Sequence, residues 1–169
     1  MLYSSLYSSP IGWLTLASDG ENLTGLWMED QKYFGSTIKG DIIEKDELKV
    51  FALVKNWLNR YFAGEKPDLA ALSLAPQGSE FRQNVWKLLC EIPYGETTTY
   101  GRLGEKMAVL LDRERVPARA IGGAVGHNPI SIIIPCHRVV GSTGSLTGYA
   151  GGLEKKIKLL ELEGVVFSL

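Results

Sequence analysis

The hydrophobic pattern of the chain changes near residue 77, and this change restricts the fold to two halves built on different principles. Before it, aromatic and apolar residues alternate in part over three short runs, which turn-forming Pro or Gly residues separate. The runs are residues 2–8, 11–17 and 23–28. Alternation of this kind is typical of strands, so the beginning of the chain predicts an antiparallel hairpin or meander.

A helical pattern follows these runs. Between residues 46 and 62, apolar side chains recur at intervals of three and four, and Gly64 ends the pattern. The Pro-containing stretch over residues 64–77 is typical of a linker. We therefore expect a domain boundary there, with one domain over residues 1–77 and a second over residues 78–169.

The second half predicts short helices close together in sequence. They cover residues 79–91, 100–111 and 118–126, with Ser79 as a candidate cap of the first helix and Thr97, Thr98 and Thr99 as candidate caps of the second. Such spacing is compatible with a helix-turn-helix unit and equally with any small helical bundle. A buried strand is expected over residues 130–135, and a last helix over residues 153–163 with its lysines facing solvent.

Charge and composition limit the function classes only weakly. The net charge is −1 overall, divided as −3 over residues 1–77 and +2 over the rest, which permits DNA binding without establishing it. No run approaches the roughly 18 apolar residues of a membrane span, and the N-terminus has no charged or apolar signal region. We therefore expect a cytoplasmic protein, or a nuclear one in a eukaryote, that does not engage membranes.

Cysteine and histidine spacing argues against metal. The two cysteines, Cys90 and Cys136, lie 46 positions apart, and the two histidines do not form a paired zinc motif. We expect neither a metal nor a disulfide.

Cys136 is the candidate nucleophile. Pro135 before it has no N–H and stiffens the chain, while His137 and Arg138 after it supply a base and a positive charge. Thiolate chemistry needs both a proton acceptor and surroundings that lower the pKa of the thiol. A cysteine beside an apolar run is nevertheless more often inert core, and Cys90 fits that description. The local sequence leaves both interpretations of Cys136 open.

Several motifs of the second half occur in the order of one known family. They are Ile92-Pro93-Tyr94-Gly95, Thr99-Tyr100-Gly101, residues 119–124, Asn128-Pro129-Ile130, Pro135-Cys136-His137-Arg138-Val139, residues 148–153 and Glu161-Leu162-Glu163-Gly164. On these motifs, residues 79–164 resemble the O6-alkylguanine-DNA alkyltransferases, also called methylated-DNA–protein-cysteine S-methyltransferases.

The resemblance implies an α+β fold. An N-terminal ribonuclease-H-like α/β domain would precede a C-terminal, mostly helical domain that contains a winged-helix-like helix-turn-helix. The first half agrees with this family in layout only.

The resemblance also implies the chemistry. Cys136 would accept the alkyl group permanently, so the protein would be a single-turnover suicide enzyme without a cofactor. His137 would act as base through a water and Glu163 would orient it. Asn128 would brace the turn before Cys136, and Tyr100 would help to rotate the target nucleotide and donate a proton to guanine.

The remaining implied residues bind DNA. Arg119 would occupy the space that the flipped base leaves. Tyr149, Ala150 and Gly151 would line the base pocket, and the carbonyls of Cys136 and Val139 would accept from the guanine amine. Small residues including Ala120 and Gly122 would let a helix enter the minor groove. The expected partner is double-stranded DNA containing O6-alkylguanine, and O4-methylthymine is a second candidate lesion; the protein is expected to be a monomer.

The sequence also permits two other functions. One is a non-catalytic sensor that binds alkylated DNA and recruits repair partners, and the other is an unrelated thiol hydrolase built on a Cys-His pair. Arg113 and Arg115 lie in a segment, residues 107–117, that is longer than in many relatives, and they are candidates for phosphate contacts.

Overall fold

The computed structural model describes residues 1–167, which divide into two compact units. The first comprises residues 1–77 together with residues 129–133, and the second comprises residues 78–128 and the chain from residue 134. Within the described residues, no helix is long and apolar enough to cross a membrane.

A four-stranded sheet forms the first unit. Its strands are β1 (Leu2–Ser9), β2 (Gly12–Ser18), β3 (Leu23–Met28) and β4 (Ile42–Glu44), in the order β3-β2-β1-β4. The first three strands are antiparallel neighbours, as the alternating runs predict, whereas β4 pairs in parallel with β1 and was not predicted. Leu14 and Leu16 of β2 have no exposed surface, because alternate residues of the strand point into the core.

Helix α1 (Lys49–Phe62) packs on this sheet through its apolar face. Phe51, Val54 and Leu58 are buried at intervals of three and four, and Gly64 ends the helix with φ of +87°. The helix begins three residues later than predicted. Asp46, the predicted first residue, instead accepts a hydrogen bond from the hydroxyl of Ser5 at 2.6 Å.

The predicted strand over residues 130–135 is wrong, although its residues are buried. Ile130 forms a single parallel bridge with Leu26 at the edge of β3, and the chain then turns at Ile132, whose φ is +71°. The left-handed backbone of Ile132 directs the chain away from β3, so the ladder ends after this one bridge. The segment is fixed by the amide of Ser131, which donates to the Leu26 carbonyl at 3.0 Å.

Four helices form most of the second unit. They are α2 (Glu80–Cys90), α3 (Tyr100–Leu110), α4 (Ala118–Gly126) and α5 (Leu153–Leu162). The side chains of Ser79 and Thr99 cap α2 and α3 as predicted. Each accepts a hydrogen bond from the backbone amide of the third residue of its helix. The indole of Trp86 on α2 donates to the Ala124 carbonyl of α4 at 2.8 Å, which fixes these two helices together.

Candidate active site

Cys136 begins a single turn of 3-10 helix, Cys136–Arg138, that is buried in the second unit. Short strand β6 (Val139–Val140) follows at once and pairs in parallel with β5 (Thr98–Thr99), the strand that leads into α3. Cys136 is 4% exposed. The turn therefore holds a buried thiol in a fixed position.

Two polar side chains act on the Cys136 thiol and favour its ionised form. They are Asn128, which follows α4, and Tyr149, in the glycine-rich loop before α5. Burial raises the pKa of the Cys136 thiol, and these two polar side chains together with the charge of Lys156 oppose that rise. Asn128 also donates to the Ile134 carbonyl at 2.8 Å, so one amide group joins the end of α4 to the turn before the cysteine.

His137 contacts Glu163, the residue that caps the C-terminus of α5. Its Nε2 lies 2.6 Å from Oε2 of the carboxylate, and both side chains have no exposed surface. A carboxylate can only accept, so Nε2 carries the proton and Nδ1 carries the lone pair of the neutral ring. Burial holds the pKa of His137 below its usual value against the opposing effect of Glu163. His137 is therefore a neutral ring with a fixed tautomer.

Arg138 binds the same carboxylate from the other side. Its Nε donates to Oε1 of Glu163 at 2.8 Å and its Nη2 donates to Oε2 at 3.1 Å, while Nη1 donates to the Ile92 carbonyl at 2.7 Å. The amide of Gly95 adds a further donor to Oε1 at 3.1 Å. Burial alone would raise the pKa of Glu163, but the hydrogen bonds and charges of His137 and Arg138 lower it well below its usual value.

Lys156 corrects the expectation that the lysines of α5 face solvent. Its side chain has no exposed surface, and its Nζ donates to the carbonyls of Val139 at 2.6 Å and Thr147 at 3.3 Å. Burial lowers the pKa of Lys156 to about 8, and the Cys136 thiolate opposes this effect. The sequence carried a signal that was missed: Lys156 lies three, four and seven positions before Leu159, Leu160 and Glu163, on the buried face of α5.

The residues predicted to bind the base belong to the segment before α5 and to β6. Tyr149, Ala150 and Gly151 form the turn before α5 and are half-buried. Val139 is buried, and its carbonyl accepts from Lys156, which leaves one of its two lone pairs for another donor.

The predicted DNA-contacting residues lie on α3 and α4. Tyr100 is the first residue of α3 and lines a cavity of about 190 Å³ together with Arg115 and Ala118. Arg119 is exposed near the start of α4, and Ala120 and Gly122 follow it on the same helix. Within residues 1–167, no hydrogen bond or ion pair joins Tyr100 or Arg119 to Cys136.

Comparison with known sequence families accounts for nearly the whole chain. Residues 80–165 match the family described as "6-O-methylguanine DNA methyltransferase, DNA binding domain", and residues 2–76 match its "ribonuclease-like domain". The predicted α+β fold, with a ribonuclease-like first half and a DNA-binding second half, is confirmed.

Individual relatives agree with this result. The chain is 44% identical to the methylated-DNA–protein-cysteine methyltransferase of Haemophilus influenzae over 98% of its own length and 88% of the relative's. It is 42% identical to the protein of that name from Methanosarcina acetivorans, over 96% and 99%.

A solved structure is similar over nearly the same length. The crystal structure of Mycobacterium tuberculosis OGT in complex with DNA matches with a TM-score of 0.81 and 44% identity, and the match covers 95% of this chain and 92% of that one. On sequence and structure together, the chain belongs to the 6-O-methylguanine DNA methyltransferase family.

Proposed function

We propose that this protein repairs DNA by moving the methyl group of O6-methylguanine irreversibly to the sulfur of its own Cys136. The observation that carries the proposal is a buried cysteine next to a histidine whose tautomer Glu163 fixes at 2.6 Å. Its family membership and the similarity to a DNA-bound structure agree with this activity.

The transfer is a displacement at carbon. His137 takes the thiol proton through one water, the sulfur forms a bond to the methyl carbon, and the bond between that carbon and O6 of guanine breaks. Tyr100 gives a proton to the departing guanine and later regains one from solvent. The products are S-methylcysteine and ordinary guanine, so each molecule of the protein acts once.

Base flipping is needed because an alkyl carbon inside a duplex cannot reach a buried thiol. We assign Arg119, exposed on α4, to the space that the extruded nucleotide leaves. Tyr149, Ala150 and Gly151 line the pocket that receives the base, and the carbonyls of Cys136 and Val139 accept from its amine.

The surface of α4 is suited to close approach by the minor groove. A Cβ atom added at Gly122, Gly123 or Gly126 would meet no atom within 4 Å. Glycine inside a helix costs about 1 kcal/mol relative to alanine, and internal packing does not require it at these positions. A partner that must come close to the helix backbone explains the glycines.

A lesion sensor is the second candidate function, and the presence of Cys136 disfavours it. One experiment separates the two. The protein is incubated with duplex DNA containing O6-methylguanine, then digested, and its peptides are weighed. We expect 14 Da, the mass of one CH2, on the peptide that contains Cys136, in a stoichiometric amount. Tight binding to the same duplex with an unmodified peptide would establish the sensor instead. In a separate assay, multiple turnovers of an ester would indicate the thiol hydrolase.

Arg113 and Arg115 test how far the DNA contact extends. Both are exposed in the connection between α3 and α4. If each contacts one phosphate, Arg113→Ala and Arg115→Ala should each reduce the slope of log affinity against log salt by about 0.9. Lys55→Ala, on α1 of the first unit, serves as the control. Unchanged slopes in both arginine variants would exclude these two residues from the phosphate contact.

A further inference from the structure

Arg138 and His137 both bind the carboxylate of Glu163, and the three side chains form one buried group. Its guanidinium spans both oxygens of Glu163, at 2.8 and 3.1 Å, while His137 occupies the remaining direction of Oε2 at 2.6 Å. The guanidinium is held independently by the Ile92 carbonyl and by the ring of Tyr94, whose centre lies 5.8 Å away. Arg138 is therefore fixed at Glu163 whether or not His137 is charged.

The charges of this group balance only while His137 is neutral. Glu163 and Arg138 then form a neutral pair, and the imidazole adds nothing. Protonation of His137 would leave one uncompensated positive charge in a buried place, with the cation of Lys156 close by on α5. Burying an unpaired charge is costly, so the arrangement disfavours the imidazolium.

Without Arg138 the balance reverses. Glu163 would be a buried carboxylate whose remaining positive partner is His137, and a neighbouring carboxylate stabilises an imidazolium. The arginine and the histidine therefore compete for the same negative charge.

We propose that Arg138 is a positioning residue that reserves the charge of Glu163 for itself and thereby keeps His137 neutral and able to accept the thiol proton. This inference rests on the proposed function for its kinetic consequence, although the protonation state of His137 can be measured without DNA. The sequence alone suggested only that Arg138 adds positive charge near Cys136.

Other titratable groups surround the three side chains. They are Lys156 on α5, Cys90 at the end of α2, Tyr94 in the turn that follows α2, and Cys136. Burial raises the pKa values of Cys90, Tyr94 and Cys136, so all three are uncharged near neutral pH. The charge of Lys156 also lowers the pKa of His137, as that of Arg138 does. Lys156 is therefore kept unchanged in the Arg138 variants described next.

The test compares the wild type with Arg138→Met and Arg138→Lys. The chain has two histidines, so the ring signals of His137 can be followed by NMR from pH 4.5 to 9, with those of His127 as the reference. We expect wild-type His137 to be neutral at pH 7 with its proton on Nε2. In Arg138→Met its protonation midpoint should rise by about one pH unit, and Arg138→Lys should lie between the two because lysine keeps the charge but cannot span both oxygens.

The rate of methyl transfer gives a second measurement. Under single-turnover conditions, the rate constant should fall on the acid side of its pH profile as His137 becomes protonated. In Arg138→Met the midpoint of this fall should shift to higher pH by the same amount as the NMR midpoint. A purely structural role would instead lower the rate at every pH without moving the midpoint.

Several outcomes would overturn the inference. A folded Arg138→Met protein whose His137 midpoint is unchanged would do so, and so would a wild-type His137 that is charged at pH 7, which needs no variant to fold. Failure of the wild type to accept any methyl group would contradict the proposed function and would leave the NMR result standing.

Discussion

Replacing Cys136 by serine is expected to abolish methyl uptake, with a fall in rate of more than about a thousandfold. A hydroxyl in this position loses its proton far less readily than a thiol and is a poor nucleophile toward carbon. The polar side chains of Asn128 and Tyr149 remain in place, so the variant should still bind DNA that contains O6-methylguanine. The measurement is the mass of the intact protein after incubation with the damaged duplex, together with the binding affinity for the same duplex.

Cys90→Ser is the matched control. Cys90 is the last residue of α2, and burial raises its pKa to about 11, so almost none of it is thiolate at neutral pH. Methyl uptake by this variant should stay within about twofold of the wild type. Methyl transfer that persists in Cys136→Ser and disappears in Cys90→Ser would show that Cys90, and not Cys136, is the acceptor.

Lys156→Met is expected to produce the second largest effect. This variant removes a buried cation that lowers the pKa of Cys136, and it leaves an apolar side chain of similar length. The thiol pKa should rise by about one unit, and the transfer rate at neutral pH should fall about tenfold. Since the pKa of Lys156 is about 8, the lysine supports the thiolate below that pH, and the two proteins should converge above it.

Lys158→Met separates this effect from a general loss of charge on α5. Lys158 is half exposed and forms a surface ion pair with Glu154 at 3.4 Å, a contact of little energetic value. Its rate profile should match that of the wild type. If Lys156→Met lowered the rate equally at all pH values, the lysine would act by holding the Val139 and Thr147 carbonyls and not through its charge.

Much of the fold was predictable because local signals decide it. Alternation predicted β1, β2 and β3, and the caps Ser79 and Thr99 located the starts of α2 and α3. Strand β4 was missed because three residues are too few to establish a period. The buried run after Pro129 was mistaken for a strand because hydrophobicity reports burial and not backbone direction.

The candidate site divides in the same way. Ordered motifs indicated Cys136, His137 and Glu163, and the last two are in direct contact. The full role of Arg138 depends on a partner 25 positions away, which no local pattern expresses. Lys156 was missed because a lysine on a helix is normally solvated, and only its position relative to Leu159 and Leu160 argued otherwise.

The course of the chain between the two units has a practical consequence for anyone who wishes to divide this protein. Residues 129–133 belong to the first unit, yet they lie between α4 and Cys136, so the backbone enters that unit twice. A fragment that begins at residue 78 would lack β3, the edge against which Ile130 and Ser131 are bonded. Its buried isoleucines would then face water within a few residues of Cys136, and such a fragment should aggregate or lose the geometry of the turn at Cys136–Arg138. Expression of the uninterrupted chain is the appropriate starting point for functional work.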